Sequence, residues 1–292
     1  MIAAIISART GSTRLPNKVL LDISGKTALE RMIERVKNAK TLDRIVIATS
    51  TSKRDDSIEN ICKQINVECI RGSENDLLSR YYLVVEKIQP DIIVKMGADS
   101  ILVDPFVIDK VVKTFLTNKY DYVSNYGIPK TYPEGCTADV YTSKTLREAF
   151  LEAKKPSERE HISPFIWNNS HRYTSYRVDY EKDLSNYRLS LDYEEDYIVI
   201  KSIFKALYPK NPYFTLEDII CWLDDNPEII KLNSHFRPSP EMGKKTQHGV
   251  VGPEKRRVGL PGRAQSIGDG FNASENTPVA RSTPNNLGER FD

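Results

Sequence analysis

Short apolar runs alternate with longer amphipathic stretches over the first 120 residues. Residues 2–7 (IAAIIS), 44–49 (RIVIAT) and 91–96 (DIIVKM) are rich in β-branched side chains, the pattern of strands buried on both faces. Between them, 27–38 places Leu29, Met32, Ile33 and Val36 at helical spacing, and 54–64 and 75–87 behave in the same way. This alternation predicts a parallel sheet with right-handed crossovers. Further short strands are expected at 67–70 and 120–124, with Pro105 opening a helix over 106–116. The first half thus reads as a Rossmann-like α/β layer sandwich.

From about Ile128 the pattern changes. Tyr and Pro become frequent, strands are expected at 136–141 and 173–179, and helices near 143–153 and 193–206 intervene. This region, about 128–190, is expected to be an insertion or lid built onto the same sheet. Thr215 heads a helix running to Asn226, with Asp218 three residues on as a weaker relative of the usual capping-box partner. After Pro238 the chain is rich in Gly, Pro, Ser, Asn and Arg, with Phe271 and Phe291 as its only aromatics, which cannot supply a packed core. Residues 1–237 are therefore expected to form the domain, and 238–292 a disordered tail or linker.

Composition narrows the function classes. A chain of 292 residues, 39% hydrophobic and 28% charged, can bury one large α/β core. Its net charge of +2 argues against a dedicated nucleic-acid binder, which would carry a basic face or stripe. Cys62, Cys69, Cys136 and Cys221 form neither a CxxC pair nor a zinc-type spacing, and read as reduced thiols. The apolar run 2–6 is too short for a signal sequence, its basic residues follow rather than precede it, and no segment approaches membrane-spanning length. A cytoplasmic protein with no membrane partner is expected.

The most informative segment is Ser7 to Leu20, SARTGSTRLPNKVL, directly after the first strand. In an open α/β sheet, ligands lie beyond the carboxyl ends of strands, so this loop is placed for binding. Gly11 and Ser12 allow close backbone approach, and Arg9, Arg14 and Lys18 present cations suited to a polyphosphate. A solvated basic loop is the plainer alternative. Gly25-Lys26-Thr27 resembles the end of a Walker A loop, but Leu20 stands where its first glycine belongs, and no G-x-G-x-x-G follows the first strand. Asp99, just past the run 92–96, suits a hard cation such as Mg²⁺, although an Asp there is more often a cap or turn former. Glu194, Glu195 and Asp196 read as the acidic first turn of a helix.

The run ARTGSTRLPNKVL resembles the A-R-x-G-S-x-R-L-P-x-K signature of sugar nucleotidyltransferases, in the cytidylyltransferase branch that includes CMP-Kdo synthetases and spore coat polysaccharide biosynthesis proteins. Further matches follow in order: SGKTALERMIERV, IVIATSTSKRDDSI, IRGSENDLLSRYY, KMGADSILVDP, YPEGCTADVY, EREHISPFIW and LSLDYEEDYIVIK. Together they cover about residues 1–235 and leave the tail uncovered. The resemblance implies a GT-A type nucleotide-diphospho-sugar transferase fold, with a mixed, mostly parallel sheet flanked by helices. It implies transfer of CMP from CTP to an acidic sugar or a phosphorylated or phosphonate small molecule, with release of pyrophosphate, for surface polysaccharide or related glycans. Use of another NTP, or nucleotide binding without catalysis, are the alternatives.

The resemblance also assigns roles. Lys18, Arg9 and Arg14 would be catalytic and, with Ala8, Gly11, Ser12 and Asp99, would bind the nucleotide. Arg71, Ser73 and Arg80 would lie near the base and triphosphate; a helix start, with Ser73 or Asn75 as N-cap and Arg80 on a solvated face, explains them equally well. Asp99 and Asp192 would hold Mg²⁺. Tyr132, Glu134, Asp139, Arg159 and His161 would select the acceptor, Arg159 and His161 receiving its phosphate or carboxylate. A packing role for His161 and pairing of Arg159 with Glu158 or Glu160 are the plainer alternatives. No unambiguous general base is visible, which favours an acceptor that is already ionised. Family members commonly dimerise through the inserted half. The chain departs from the pattern at Gly97-Ala98-Asp99-Ser100-Ile101, where relatives carry G-D-x-P-L-I-D-P, and at Thr137-Ala138-Asp139.

Overall fold

The computed structural model describes residues 1–236; the expected tail, 238–292, lies outside the described residues. The first apolar run forms strand β1 (Ile2–Ser7), followed by a small hairpin of β2 (Asp22–Ile23) and β3 (Lys26–Thr27). Ser24 (φ 53°) and Gly25 (φ 82°) both take left-handed backbone, as a two-residue hairpin turn requires. The Walker-like Gly25-Lys26-Thr27 is therefore a turn followed by a helix cap. Thr27 accepts the Glu30 N–H, and Glu30 accepts from the Thr27 N–H, a full capping box that starts helix α1 (Ala28–Val36).

Strand β4 (Arg44–Ser50), helix α2 (Asp56–Gln64), strand β5 (Glu68–Gly72), helix α3 (Leu77–Ile88) and strand β6 (Ile92–Gly97) complete the alternating half. Helix α3 starts later than its periodicity suggested because Asp76 is the N-cap, accepting from the Ser79 N–H at 2.9 Å. Helix α4 (Pro105–Thr117) has Pro105 in its first turn and Asp104 as N-cap.

Strand β7 (Tyr122–Ser124) precedes β8 (Asp139–Thr142), helices α5 (Ser143–Glu152), α6 (Pro156–Glu160) and α7 (Ile162–Asn168), and strand β9 (Ser175–Arg177). Helices α8 (Glu194–Leu207), α9 (Leu216–Asp225) and α10 (Pro227–Asn233) end the described chain. Strand β8 is shorter than the expected 136–141. The Asn125 amide replaces a strand neighbour there, donating to the Cys136 carbonyl and accepting from the Ala138 N–H, both at 2.7 Å. Residues 188–191 look strand-like in sequence but make only an isolated bridge, Glu134 to Arg188. Gly135 (φ 87°) passes so close to this stretch that a Cβ would lie 2.5 Å from the Ser190 nitrogen.

The seven strands of the main sheet lie in the order β5-β4-β1-β6-β8-β7-β9. β5, β4, β1 and β6 are parallel, and β8 runs antiparallel to both β6 and β7. One face packs on α1, α4, α8 and α9 through residues such as Leu29, Ile108, Phe204 and Ile219, and the other on α3, α5 and α7 through Leu78, Val84, Leu146 and Phe165. No helix among the described residues is long and apolar enough to cross a membrane.

Candidate active site

Strand β1 has β4 on one side and β6 on the other, so the loops leaving β1 and β6 part company at their carboxyl ends, where Ser7 is in register with Gly97. Open α/β sheets take ligands in such a crevice. Here it is a cleft of about 1200 Å³.

The loop after β1 is held from below by Asp55, which is buried. Asp55 accepts from the Thr10 N–H (2.8 Å), from the Thr10 hydroxyl (2.7 Å) and from Ser50. Asn17, in left-handed backbone (φ 58°), then sets Lys18 at the head of a short 3-10 turn anchored by buried Val19. Lys18 Nζ lies 2.9 Å from Asp192 Oδ1 and 3.4 Å from Asp99 Oδ2. Arg14 Nη2 is 2.8 Å from the same Asp192 oxygen. Lys18, Asp99 and Asp192, distant in sequence, therefore meet in one cleft.

Asp192 is fixed from behind as well. Its Oδ2 accepts from Arg188 Nη2 (3.0 Å) and from Ser190 (3.2 Å). Burial pushes the Asp192 carboxyl up, but Lys18, Arg14 and Arg188 outweigh it and hold the pKa below the usual carboxylate range. Arg188 in turn pairs with Asp196, which is fully buried and accepts from the Asp192 and Tyr193 N–H groups and from Asn233. Asp196 is thus more than the acidic first turn its sequence context suggested.

The expected nucleotide residues divide. Ala8, Arg9, Ser12, Arg14, Lys18, Arg80 and Asp99 line the cleft. Arg9 is exposed and has no ionic or hydrogen-bond partner among the described residues. Arg80 is 4% exposed rather than on a solvated face, and its Nε and Nη1 have no partner among the described residues. Burial, reinforced by nearby Arg9, lowers its pKa. Gly11, Arg71 and Ser73 do not line the cleft. Gly11 packs on the Arg54 guanidinium, where a Cβ would be 3.3 Å from Cζ. Arg71 is committed to Asp56 and Glu59 and to the Ser50 and Ser52 carbonyls. Ser73 accepts from the Asp76 N–H, just ahead of α3.

Of the expected acceptor residues, Glu134, Asp139, Arg159 and His161 line the other end of the cleft and Tyr132 does not. Tyr132 is buried edge-on against Tyr180, ring centroids 5.1 Å apart. Arg159 binds Asp76 through Nε (2.8 Å) and Nη2 (2.5 Å), rather than Glu158 or Glu160, and gives Nη1 to the Phe150 and Ala153 carbonyls. His161 is solvent-accessible, yet the protein mass around it and the Lys95 ammonium depress its pKa. Asp139 is bound by Lys95, Tyr122 and Ser124.

Sequence reasoning missed Lys95, Asp55 and Arg188. Only Lys95 carried a readable signal, as a lone charge inside an apolar strand run. Asp55 and Arg188 sit among many charged neighbours in sequence, and their burial is a tertiary outcome.

Comparison with known proteins identifies the family. The family model for cytidylyltransferases matches residues 3–214. An uncharacterised protein of Methanocaldococcus jannaschii is 36% identical over 238 residues, 81% of this chain and 96% of that protein. The spore coat polysaccharide biosynthesis protein SpsF of Bacillus subtilis is 30% identical over 237 residues, 78% of this chain and 95% of that protein. The solved structure of a cytidylyltransferase from Leptospira borgpetersenii is similar with a TM-score of 0.75 at 34% identity, covering 78% of this chain and 96% of that one. With a family match over most of the described chain, and a cleft at the sheet's switch point to go with it, the chain belongs to the cytidylyltransferase family and is a nucleotidyltransferase.

Proposed function

We propose that this enzyme transfers CMP from CTP to a small acidic acceptor, either an acidic sugar or a phosphorylated or phosphonate compound, in surface polysaccharide synthesis. The observation that carries this reading is Lys18 Nζ standing between Asp99 and Asp192 at the end of a cationic loop. The name of the Bacillus subtilis relative supports the polysaccharide setting.

Arg9, Arg14, Lys18 and Arg80 supply the cations for the triphosphate. Arg80 is the most telling of these, since a buried donor without a partner costs roughly 1–3 kcal/mol, which a phosphate oxygen in the cleft would offset. The residues present also fit Mg²⁺. Asp99 and Asp192 are hard oxygen donors already converging on one cation, and Mg²⁺ takes one or two carboxylates together with substrate phosphates. Asp99 and Asp192 would hold the ion, which when bound neutralises phosphate charge.

The acceptor oxygen attacks the α-phosphorus, the bond from that phosphorus to the bridging oxygen breaks, and pyrophosphate leaves. Lys18 exchanges its carboxylates for α-phosphoryl oxygens and opposes the charge that builds there. The test is incubation with each of the four NTPs, Mg²⁺ and a panel of sugar acids, phosphorylated hydroxy acids and phosphonates, following pyrophosphate. Release that requires CTP and an acidic acceptor supports the reading; preference for another NTP, or no release with any acceptor, overturns it.

A further inference from the structure

The acceptor end of the cleft has a charged floor. Lys95 on β6 stands in register with Asp139 on β8, and their side chains meet at 3.1 Å. The neighbouring residues Val94 and Met96 are buried in the core on the opposite face. A lysine in the middle of a sheet loses hydration and rotamer freedom, so packing alone gives no reason for it.

The hydrogen bonds around the pair are unevenly distributed. Asp139 is well supplied: Oδ2 accepts from Lys95, and Oδ1 from the Tyr122 hydroxyl (2.8 Å) and the Ser124 hydroxyl (2.7 Å). An ammonium has three donors, and Lys95 gives one of them to Asp139, with no other acceptor among the described residues. The other cations at this end are already committed or stand in water. Arg159 is held by Asp76 and two carbonyls, Lys130 by Glu134, and Lys154 is exposed at the rim.

We propose that Lys95 is the anchor for the anionic group of the acceptor, and that Asp139 is a positioning residue that holds the ammonium in place rather than a ligand of the acceptor. The proposal rests on the cleft being a CMP-transfer site. Lys95 lies two residues inside the end of β6 and Asp99 two residues beyond it, so the acceptor enters anion first. An attacking oxygen carried on a second group of the acceptor then remains at the strand mouth beside Lys18 and Asp99. Asp139 outweighs the effect of burial and keeps the Lys95 pKa above its ordinary value, so the anchor stays charged through neutral pH.

The experiment is thermal unfolding of the full chain with CTP and Mg²⁺, then with gluconate, methylphosphonate or glucose added. Removing Lys95 alone strands a buried carboxylate, so the main variant is the neutral pair K95M/D139N, with K95R as a conservative control. In the wild type, gluconate or methylphosphonate should raise the midpoint beyond the CTP shift and glucose should not; which anion acts separates a carboxylate acceptor from a phosphonate one. In K95M/D139N the apparent affinity for that anion should fall about tenfold or more while the CTP shift persists, and K95R should retain part of it. A neutral-pair variant that binds the anion as well as the wild type, or a wild type that responds to CTP and to neither anion, overturns the proposal. Lys95-dependent anion binding without any CTP shift would instead remove the CMP-transfer reading and leave the anchor standing.

Discussion

Arg188 and Asp196 are joined by two buried hydrogen bonds, Nε to Oδ1 at 2.9 Å and Nη2 to Oδ2 at 3.0 Å. Arg188 extends the same Nη2 to Asp192, and Asp196 also accepts the Asp192 N–H. The carboxylate that meets Lys18 is therefore held by a second carboxylate that never reaches the cleft. Removing Asp196 leaves Arg188 paired with Asp192 but strands the Arg188 Nε and the two buried N–H groups that Asp196 accepted, at a cost of about 1–3 kcal/mol. Asp196→Ala should lose about that much in urea unfolding, with pyrophosphate release falling alongside it. Wild-type stability in this variant would mean the pair does not hold Asp192.

Lys18→Ala tests the other side of Asp192. The carboxylate keeps Arg14 and Arg188, so the fold should change little. Turnover should nevertheless fall on the order of a hundredfold or more, the usual consequence of losing one group that stabilises charge in the transition state. Single-turnover release of pyrophosphate, measured beside the unfolding midpoint, separates the two effects. Undiminished CMP transfer would remove Lys18 from the chemistry.

These residues also show how far the sequence could be read. β1, β4 and β6 were legible because strands buried on both faces are written as unbroken apolar runs. The cleft's mouth was legible because one loop concentrated Arg9, Arg14 and Lys18 after β1. Helices α6 and α7 were not, since each is short and Pro156 and Pro164 interrupt any periodic pattern. Arg71 and Arg80 show a second limit. They lie nine residues apart in one segment, yet Arg71 turns to Asp56 and Glu59 while Arg80 turns into the cleft. Local sequence does not encode which way a long side chain turns when both directions offer partners.

The lowered pKa of Asp192 sets a pH window. A carboxylate whose folded value is depressed adds stability above its unfolded value, about pH 4, and that stability is lost as pH falls through the folded value. The stability difference between wild type and Asp192→Asn should hold steady from pH 7 to about pH 4 and shrink only below that. Urea midpoints of both proteins across this range provide the check, because the other carboxylates cancel in the difference. A gap that closes between pH 7 and pH 5 would mean that Lys18, Arg14 and Arg188 do not outweigh burial.

Metal dependence follows from the same pair. With a chelator present, pyrophosphate release should stop and return on adding Mg²⁺, since Asp99 and Asp192 are the hard donors at the cleft's mouth. Asp99 is the more accessible of the two and, among the described residues, its carboxylate meets only Lys18, whereas Asp192 meets Lys18, Arg14 and Arg188. Asp99→Asn should therefore raise the Mg²⁺ concentration needed for half-maximal activity with little loss of stability. Unchanged metal dependence in that variant would exclude Asp99 as a ligand.

Phe236 reaches the loop after β1 through Tyr193. Its ring stacks on Tyr193, centroids 3.8 Å apart and planes 2° from parallel, and the Arg14 guanidinium lies 5.1 Å from the centre of the Tyr193 ring. Arg14 also donates from Nη1 to the Tyr193 hydroxyl at 3.5 Å and from Nη2 to Asp192, which it would share with the metal and the phosphates once the nucleotide binds. Tyr193, through its ring and its hydroxyl, then remains as a restraint on Arg14, and Phe236 backs that ring. An aromatic pair of this kind contributes about 0.5–1.5 kcal/mol beyond its buried area. Phe236→Ala should accordingly raise the KM for CTP about threefold to tenfold. The effect on kcat should be smaller if, as proposed, Arg14 holds the phosphates both before and during transfer. Phe236→Tyr, which preserves the stacked ring, should restore the wild-type KM. If Phe236→Ala lowers kcat and leaves KM unchanged, Arg14 is acting on the transition state alone, and the stack serves the chemistry rather than nucleotide capture.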